Sequence, residues 1–178
     1  LIPLSGCQKP QVTLSTPETV SGFKINTFVK IDSYTSISRD KLNEALNLCD
    51  YYENIFSRTM ESSELYRVNK EQTADISSEL YELINTGLQY CHLSNGAFDI
   101  TIGSVSSLWD FTADAPRVPD ASLIEDALRY VDYTQISVTD NEDGTYTLNK
   151  PEGVILDLGA VSKGYIAARI KYYIEENG

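Results

Sequence analysis

The sequence has few of the residues from which metal and redox sites are commonly built. Among 178 residues there is one histidine, His92, and there are three cysteines, Cys7, Cys49 and Cys91. A single histidine excludes a two-histidine metal site, and no Cys-x-x-Cys pair gives the usual zinc spacing. Cys49 and Cys91 fall on apolar helical stretches, which predicts two buried free thiols.

Basic residues are also scarce. The chain carries 14 Lys and Arg against 26 Asp and Glu, a formal net charge of −12, and has no basic run. Because binding to a phosphate backbone needs clustered cations, this composition argues against a nucleic-acid partner. An anionic small ligand would need local help from one or two cations, backbone amides or a metal ion.

The sequence contains no apolar run of about 18 residues, so no membrane-spanning helix is predicted. Its start, Leu4-Ser5-Gly6-Cys7, resembles the lipobox of bacterial lipoproteins, in which the cysteine is acylated. We therefore expect residues 1–21 to be a signal remnant and flexible tether, with Cys7 lipidated and the domain anchored on the extracytoplasmic membrane face. The alternative is an apolar start that arises by chance.

Hydrophobic periodicity predicts an α+β domain over residues 22–178 with no further boundary. One strand is expected from Phe23 to Tyr34. Helices are expected after the N-caps Ser38 and Ser77, ending near Phe56 and before Asn95-Gly96. Further expected elements are a short helix within 57–69, a helix over 122–130, a hairpin of strands 135–139 and 145–149, a strand over 154–158 and a helix from about Ala160 to the end.

Three segments carry residues suited to chemistry. In the third segment along the chain, which begins near Asp157, this aspartate ends an apolar run and Gly159 permits a tight turn. Lys163 lies one turn into the helix that follows. Helix starts present free amides that suit phosphate groups. The alternative is an ordinary strand-to-helix turn with a solvated lysine.

The second segment runs from Gly96 to Gly103 and is followed by Leu108-Trp109-Asp110-Phe111. Phe98 and Asp99 could hold a flat ring by stacking and hydrogen bonding. The alternative is that Phe98 belongs to the core and Asp99 caps the next element. The first segment, Ser57 to Asn69, reads by itself as a polar turn and a short helix.

Taken together, the three segments resemble the ApbE family in order and spacing. The first matches as a serine followed by Ser-Glu-Leu and a closing Asn69. The second matches as Gly-Ala-Phe-Asp-Ile-Thr from Gly96, and the third as Asp-Leu-Gly-Ala-x-x-Lys-Gly-Tyr from Asp157. The resemblance covers about residues 22–178 and implies an ApbE-like, T-fold-related α+β domain.

The resemblance implies an FAD:protein FMN transferase, which moves FMN from FAD to a threonine of a target flavoprotein, with Mg²⁺, and releases AMP. Ala97, Phe98, Asp99, Asp157 and Lys163 match FAD-contacting positions of the family. Ala160 matches a residue whose backbone carbonyl ligates the metal. The resemblance assigns no residue as the general base.

The chain departs from the family pattern at three points. Ile25 stands where the family often has methionine, and Thr59 where some members have a flavin-contacting tyrosine, so both are expected at the FAD site. The family's later His-containing segment and its Asp and Thr metal ligands have no counterpart before Gly178. We therefore expect a domain incomplete at its C-terminus, either because the chain is a fragment of a longer protein or because a second chain completes it. Two alternatives are an FAD pyrophosphatase that yields FMN and AMP, and a non-catalytic FAD-binding lipoprotein.

Overall fold

The computed structural model describes residues 16–109 and 117–178. The chain forms two compact units. Of the described residues, one unit contains those up to Asp50 together with Ile166–Gly178, and the other contains those between Tyr51 and Tyr165. The sequence does not reveal this division, because both boundaries fall inside long helices, where neither composition nor periodicity changes.

The chain combines helices with antiparallel strands in an α+β arrangement, as expected. The helices are α1 (Arg39–Phe56), α2 (Glu64–Val68), α3 (Ser78–Leu93), α4 (Gly103–Ser106), α5 (Ala121–Leu128) and α6 (Gly159–Asn177). The strands are β1 (Glu18–Lys24), β2 (Thr27–Ser33), β3 (Thr73–Ile76), β4 (Ser137–Asp140) and β5 (Tyr146–Asn149). A 3-10 turn covers Tyr133–Gln135.

The first unit begins with an antiparallel hairpin instead of the single strand expected from Phe23 to Tyr34. β1 pairs with β2 from Glu18↔Ser33 to Lys24↔Thr27, which leaves a two-residue turn. Ile25 and Asn26 have φ values of 47° and 54°. Two positive φ angles suit the right-handed twist of a tight hairpin, although a β-branched residue such as isoleucine rarely adopts one. Alternation of apolar residues continued across this turn and concealed it.

β1 also shortens the expected tether. Residues Glu18–Ser21, expected to be flexible, pair with Lys30–Ser33 in the hairpin. Val20 is 4% exposed, and its burial explains why this stretch is ordered. Cys7 and the rest of residues 1–15 lie outside the described residues.

The two predicted N-caps are confirmed. The Ser38 hydroxyl accepts a bond from the Lys41 amide at 3.3 Å, and the Ser77 hydroxyl accepts one from the Leu80 amide at 3.2 Å. The Glu64 carboxylate accepts bonds from the Ser77 amide and hydroxyl at 2.7 and 2.6 Å, so α2 fixes the start of α3. α3 ends at Leu93, just before Asn95 and Gly96, both at positive φ.

The second unit contains a three-stranded antiparallel sheet in the order β3-β5-β4. The hairpin of β4 and β5 is confirmed, with Gly144 at a φ of 87° in its loop. β3 was not predicted from the sequence. It is only four residues long and includes alanine and aspartate, which have low strand propensity, yet Ala74 and Ile76 are buried.

Residues 154–158 do not form the expected strand. Their only ladder contact within the described residues is one parallel bridge between Ile102 and Ile155. Side chains replace the missing partner strand: the Ser104 hydroxyl accepts the Ile155 amide at 3.0 Å, and the Asn69 side-chain oxygen accepts the Leu156 amide at 2.8 Å. An apolar run shows that a segment is buried but not what satisfies its backbone, which is why the prediction was wrong.

Gly103 allows the close approach at that bridge. A Cβ atom added to Gly103 would lie 2.4 Å from the backbone oxygen of Ile155. We therefore expect Gly103→Ala to lower the free energy of unfolding by about 1–3 kcal/mol, measured by urea denaturation. The matched control is Gly164→Ala in α6, where the added Cβ meets nothing within 4 Å. The control should be as stable as the wild type or more so, and equal stability of both variants would contradict this account.

Candidate functional site

The second unit brings the second and third sequence segments into direct contact. The Asp157 amide donates to the Ile100 carbonyl at 2.8 Å. The Ser104 hydroxyl donates to the Gly153 carbonyl at 3.0 Å and accepts from the Ile155 amide at 3.0 Å. Two stretches of chain that are far apart in sequence are thus fixed against each other by backbone and hydroxyl bonds.

A cavity of about 840 Å³ lies where these segments meet. Phe98, from the second segment, and Ala160, from the third, both line it. The remaining lining residues come from the C-terminal half of α3, the residue that follows it and the start of α6: Thr86, Tyr90, Leu93, Ser94, Val161, Gly164 and Tyr165. The wall is mostly apolar and includes the aromatic rings of Tyr90, Phe98 and Tyr165, so it suits a flat, largely apolar group.

The loop that carries Phe98 is held by its own polar side chains. The Ser94 hydroxyl accepts the Phe98 amide at 3.0 Å. One oxygen of Asp99 accepts the Thr101 amide at 2.8 Å and the Thr101 hydroxyl at 2.6 Å, and the other accepts the Tyr133 amide at 3.0 Å. Both oxygens of Asp99 thus orient the loop, but Asp99 does not cap α4, whose N-cap is Ile102 with no side-chain bond. Ala97 is exposed and does not line the cavity.

The Asp157 carboxylate is the polar centre of the third segment. One oxygen accepts the Gly159 amide at 3.0 Å. The other accepts the Ser106 hydroxyl at 3.1 Å and lies 3.2 Å from Nε of Arg58. Asp157 does not line the cavity, but it fixes the start of α6, whose second residue, Ala160, does.

The other predicted site residues do not line the cavity. Lys163 is exposed, does not line the cavity, and forms no hydrogen bond or ion pair with any residue within 16–109 and 117–178. Thr59 is exposed in the loop after α1, where its amide donates to the Ser57 hydroxyl at 3.4 Å. Ile25 belongs to the hairpin turn of the other unit.

Three residues that support this site were not predicted from the sequence. Arg58 pairs with Asp157, as described. The Asn69 side chain donates to the Leu156 carbonyl at 3.0 Å and accepts a bond from the Leu156 amide at 2.8 Å.

Lys150 is the third residue. It is 6% exposed and donates to the carbonyls of Asn69 at 3.1 Å and Val154 at 2.9 Å. Burial lowers the pKa of this ammonium group. Asn69 and Arg58 belong to the first sequence segment. Their position in that segment was the only sequence signal that could have pointed to them.

The residues of the described chain do not by themselves form a metal site. Among residues 16–109 and 117–178, no group of three or more His, Cys, Asp or Glu side chains could hold an ion. The backbone carbonyl of Ala160 supplies at most one oxygen ligand. Mg²⁺ demands near-ideal octahedral geometry with oxygen ligands, so these residues alone do not fit it.

Comparison with known proteins gives the same family as the sequence motifs. The sequence profile of the ApbE family matches residues 25–178, which include all three segments. This chain belongs to the ApbE family. Phe98 and Ala160, which line the cavity, and Asp99 and Asp157, whose bonds support its walls, all lie within the matched residues.

Curated relatives named FAD:protein FMN transferase match this chain over about half of their own length or less. An FAD:protein FMN transferase of Treponema pallidum is 29% identical over 136 residues, covering 72% of this chain and 37% of the relative. One of Vibrio cholerae is 28% identical over 188 residues, covering 100% and 54%.

Solved structures of ApbE proteins share the fold. The ApbE protein of Thermotoga maritima has a TM-score of 0.77 and 29% identity, covering 88% of this chain and 52% of that chain. The flavin transferase ApbE of Vibrio cholerae has a TM-score of 0.77 and 22% identity, covering 91% and 55%. At the latter identity the similarity shows the fold alone.

Asn69 should be required to hold the segment that leads into Asp157. Asn69→Ala removes both partners of the Leu156 backbone, in a residue with 0% exposure. Two buried backbone groups left unpaired should cost about 2–4 kcal/mol of unfolding free energy, measured by chemical denaturation. In the control Asn141→Ala, the lost bonds reach only exposed Thr145 and Thr147 hydroxyls at 2.9 and 3.0 Å. This control should lose about 0.5 kcal/mol or less; equal losses would refute the bracing role.

Proposed function

We propose that this chain is part of an FAD:protein FMN transferase and forms part of its FAD-binding site. The reaction moves FMN from FAD to a threonine of a target flavoprotein and releases AMP. FAD is the substrate, and the target flavoprotein is the protein partner. The proposal applies to the whole enzyme, because this chain spans about half the length of the relatives it matches.

The cavity shared by two family motifs is the observation that carries this proposal. It is lined by Phe98 of the Gly-Ala-Phe-Asp motif and by Ala160 and Gly164 of the Asp-Leu-Gly-Ala motif. Its volume of about 840 Å³ is within the range of cavities that bind small molecules and cofactors. Apolar and aromatic walls favour a flat ring system, and FAD has one at each end.

The transfer is a substitution at phosphorus. The threonine oxygen of the target forms a bond to the phosphorus of the FMN portion, and the bond from that phosphorus to the bridging oxygen breaks. AMP leaves with the bridging oxygen and its electron pair, and the threonine proton passes to a base. The residues of this chain bind and orient FAD, since Asp99 fixes the loop of Phe98 and Asp157 fixes the start of α6.

Mg²⁺ is proposed as the cofactor of the whole enzyme. The ion would neutralise the diphosphate and polarise its phosphoryl oxygens. Ala160 is the residue of this chain that would contribute an oxygen to it, through its backbone carbonyl. The described residues hold no cluster of further ligands, so the roles assigned to them are confined to binding and orienting FAD.

A product assay tests the transferase against its alternatives. The full-length protein is incubated with FAD and Mg²⁺, with and without a target protein that carries the acceptor threonine. AMP release that requires the target, with FMN found on its threonine, is the expected result. AMP and free FMN without the target would instead establish an FAD pyrophosphatase. FAD binding with no turnover in either mixture would establish a non-catalytic binding protein.

Phe98→Ala tests whether the cavity binds FAD. Removing one wall ring should raise the Kd for FAD by roughly 10-fold, measured by quenching of flavin fluorescence, because stacking contacts contribute about 1 kcal/mol or more. Leu123→Ala is the control, since Leu123 is 51% exposed on α5 and does not line the cavity. An unchanged Kd for Phe98→Ala would place FAD elsewhere.

Attachment to the extracytoplasmic membrane face through lipid on Cys7 is a separate proposal. It is supported by the lipobox-like sequence Leu4-Ser5-Gly6-Cys7. Within residues 16–109 and 117–178, no helix is long and apolar enough to cross a membrane. When the gene is expressed in a bacterial host, the product should partition into detergent and carry acyl mass on Cys7. Cys7→Ala should abolish both properties, and an unacylated wild-type product would disprove the anchor.

A further inference from the structure

Arg58 is a cation whose backbone is held rigidly. It follows α1 in a loop in which the Ser57 hydroxyl accepts the Met60 amide at 3.1 Å. The Ser63 hydroxyl donates to the Ser57 carbonyl, and the Ser63 amide donates to the Met60 carbonyl at 3.0 Å. These bonds close the loop that carries Arg58.

The Arg58 guanidinium is tethered at one nitrogen only, as far as the described residues go. Its Nε lies 3.2 Å from Asp157, and each of the two side chains is 25% exposed. Within residues 16–109 and 117–178, no acceptor bonds to its Nη1 or Nη2. Arg67 behaves differently, because its Nη groups bond to Glu71 at 3.2 Å and to the Asp75 carbonyl at 2.8 Å. Arg58 is thus ion-paired through Nε, and no described residue occupies its two amino groups.

Asp157 is better suited to orient Arg58 than to bind an anion itself. Its two oxygens already accept hydrogen bonds from the Gly159 amide and the Ser106 hydroxyl, and the second oxygen is ion-paired with Arg58. A carboxylate repels a phosphate group, so a diphosphate next to Asp157 needs a cation between them. The guanidinium is a planar fork that pairs with phosphate through two N–H groups.

Arg58 also lies near the start of the cavity-lining helix. It contacts Asp157, Asp157 contacts the Gly159 amide, and the next residue, Ala160, lines the cavity. Lys163, a second cation without a partner among the described residues, follows one turn later. In a chain with a net charge of −12, two cations associated with one helix start make a local site for a negative group.

We propose that Arg58 binds the diphosphate of FAD through Nη1 and Nη2, with Asp157 as the residue that orients it. The inference rests on the proposed function, since it takes FAD as the ligand. It adds a substrate-binding residue in the first motif and gives Asp157 a positioning role.

Comparison of ligands with and without phosphate tests the proposal. In Arg58→Met, the Kd for FAD and for ADP should rise by roughly 10- to 100-fold, as expected for a charge-assisted bond, while the Kd for riboflavin stays within about 2-fold. Arg58→Lys keeps the charge without the fork and should give an intermediate loss. Arg129→Met is the control, because Arg129 is 78% exposed and its ion pair is with Asp126 on α5.

The outcomes separate this inference from the proposed function. If the wild type binds FAD and Arg58→Met binds it equally well, Arg58 is not a ligand-binding residue and the proposed function stands. If the wild type binds neither FAD nor ADP, the proposed function fails and the inference fails with it. A loss of the same size for FAD, ADP and riboflavin would mean that Arg58 supports the fold instead. Thermal unfolding checks that Arg58→Met is folded; if it is not, the same comparison is made with Arg58→Lys.

A double-mutant cycle tests the positioning role of Asp157. Asp157→Asn keeps an oxygen for the Gly159 amide but removes the charge that holds Arg58. Alone it should weaken FAD binding by several-fold, and in the Arg58→Met background it should have little further effect. Additive losses would show that Asp157 acts independently of Arg58 and would overturn its assignment as the orienting residue.

Discussion

The contact between residues 100–103 and 153–157 is the feature on which the candidate site depends. It consists of one backbone bond from Asp157 to Ile100, one bridge from Ile102 to Ile155, and a glycine that permits the close approach. This contact sets Phe98 and the start of α6 on either side of one cavity. Phe98, Asp99 and Ala160 lie within three positions of one of these two segments, and Arg58 is ion-paired with Asp157.

Local chemistry explains the parts of the fold that the sequence predicted well. Ser38 and Ser77 cap helices because their hydroxyls accept amide bonds from residues a few positions ahead, which is a short-range property. The stop after α3 follows from Asn95 and Gly96, which tolerate positive φ. The turns within the two motifs are local in the same way, but the long-range contact described above is what brings Phe98 and Ala160 to one cavity.

Long-range partners explain what the sequence did not predict. Residues 154–158 looked like a strand, yet Ser104 and Asn69 satisfy their backbone, and no pattern in a single sequence shows such a pairing. The turn at Ile25 was concealed because isoleucine rarely takes positive φ. The role proposed for Arg58 depends on its ion pair with Asp157, which is distant in sequence. The residues next to Arg58 in the sequence do not distinguish it from a solvated arginine, so this role could not be predicted.

The way in which residues 154–157 are satisfied has a consequence for solubility. Val154-Ile155-Leu156 is a short β-branched and apolar run of the kind that templates intermolecular association when its edge is open. In the folded chain the successive amides of 154–157 donate to the Pro151 carbonyl, the Ser104 hydroxyl, the Asn69 carboxamide and the Ile100 carbonyl. With no donor left over, this stretch cannot recruit a strand from another molecule through its amides. The same bonds that fix the chain leading into α6 thereby leave no free amide in residues 154–157 for a strand of another molecule.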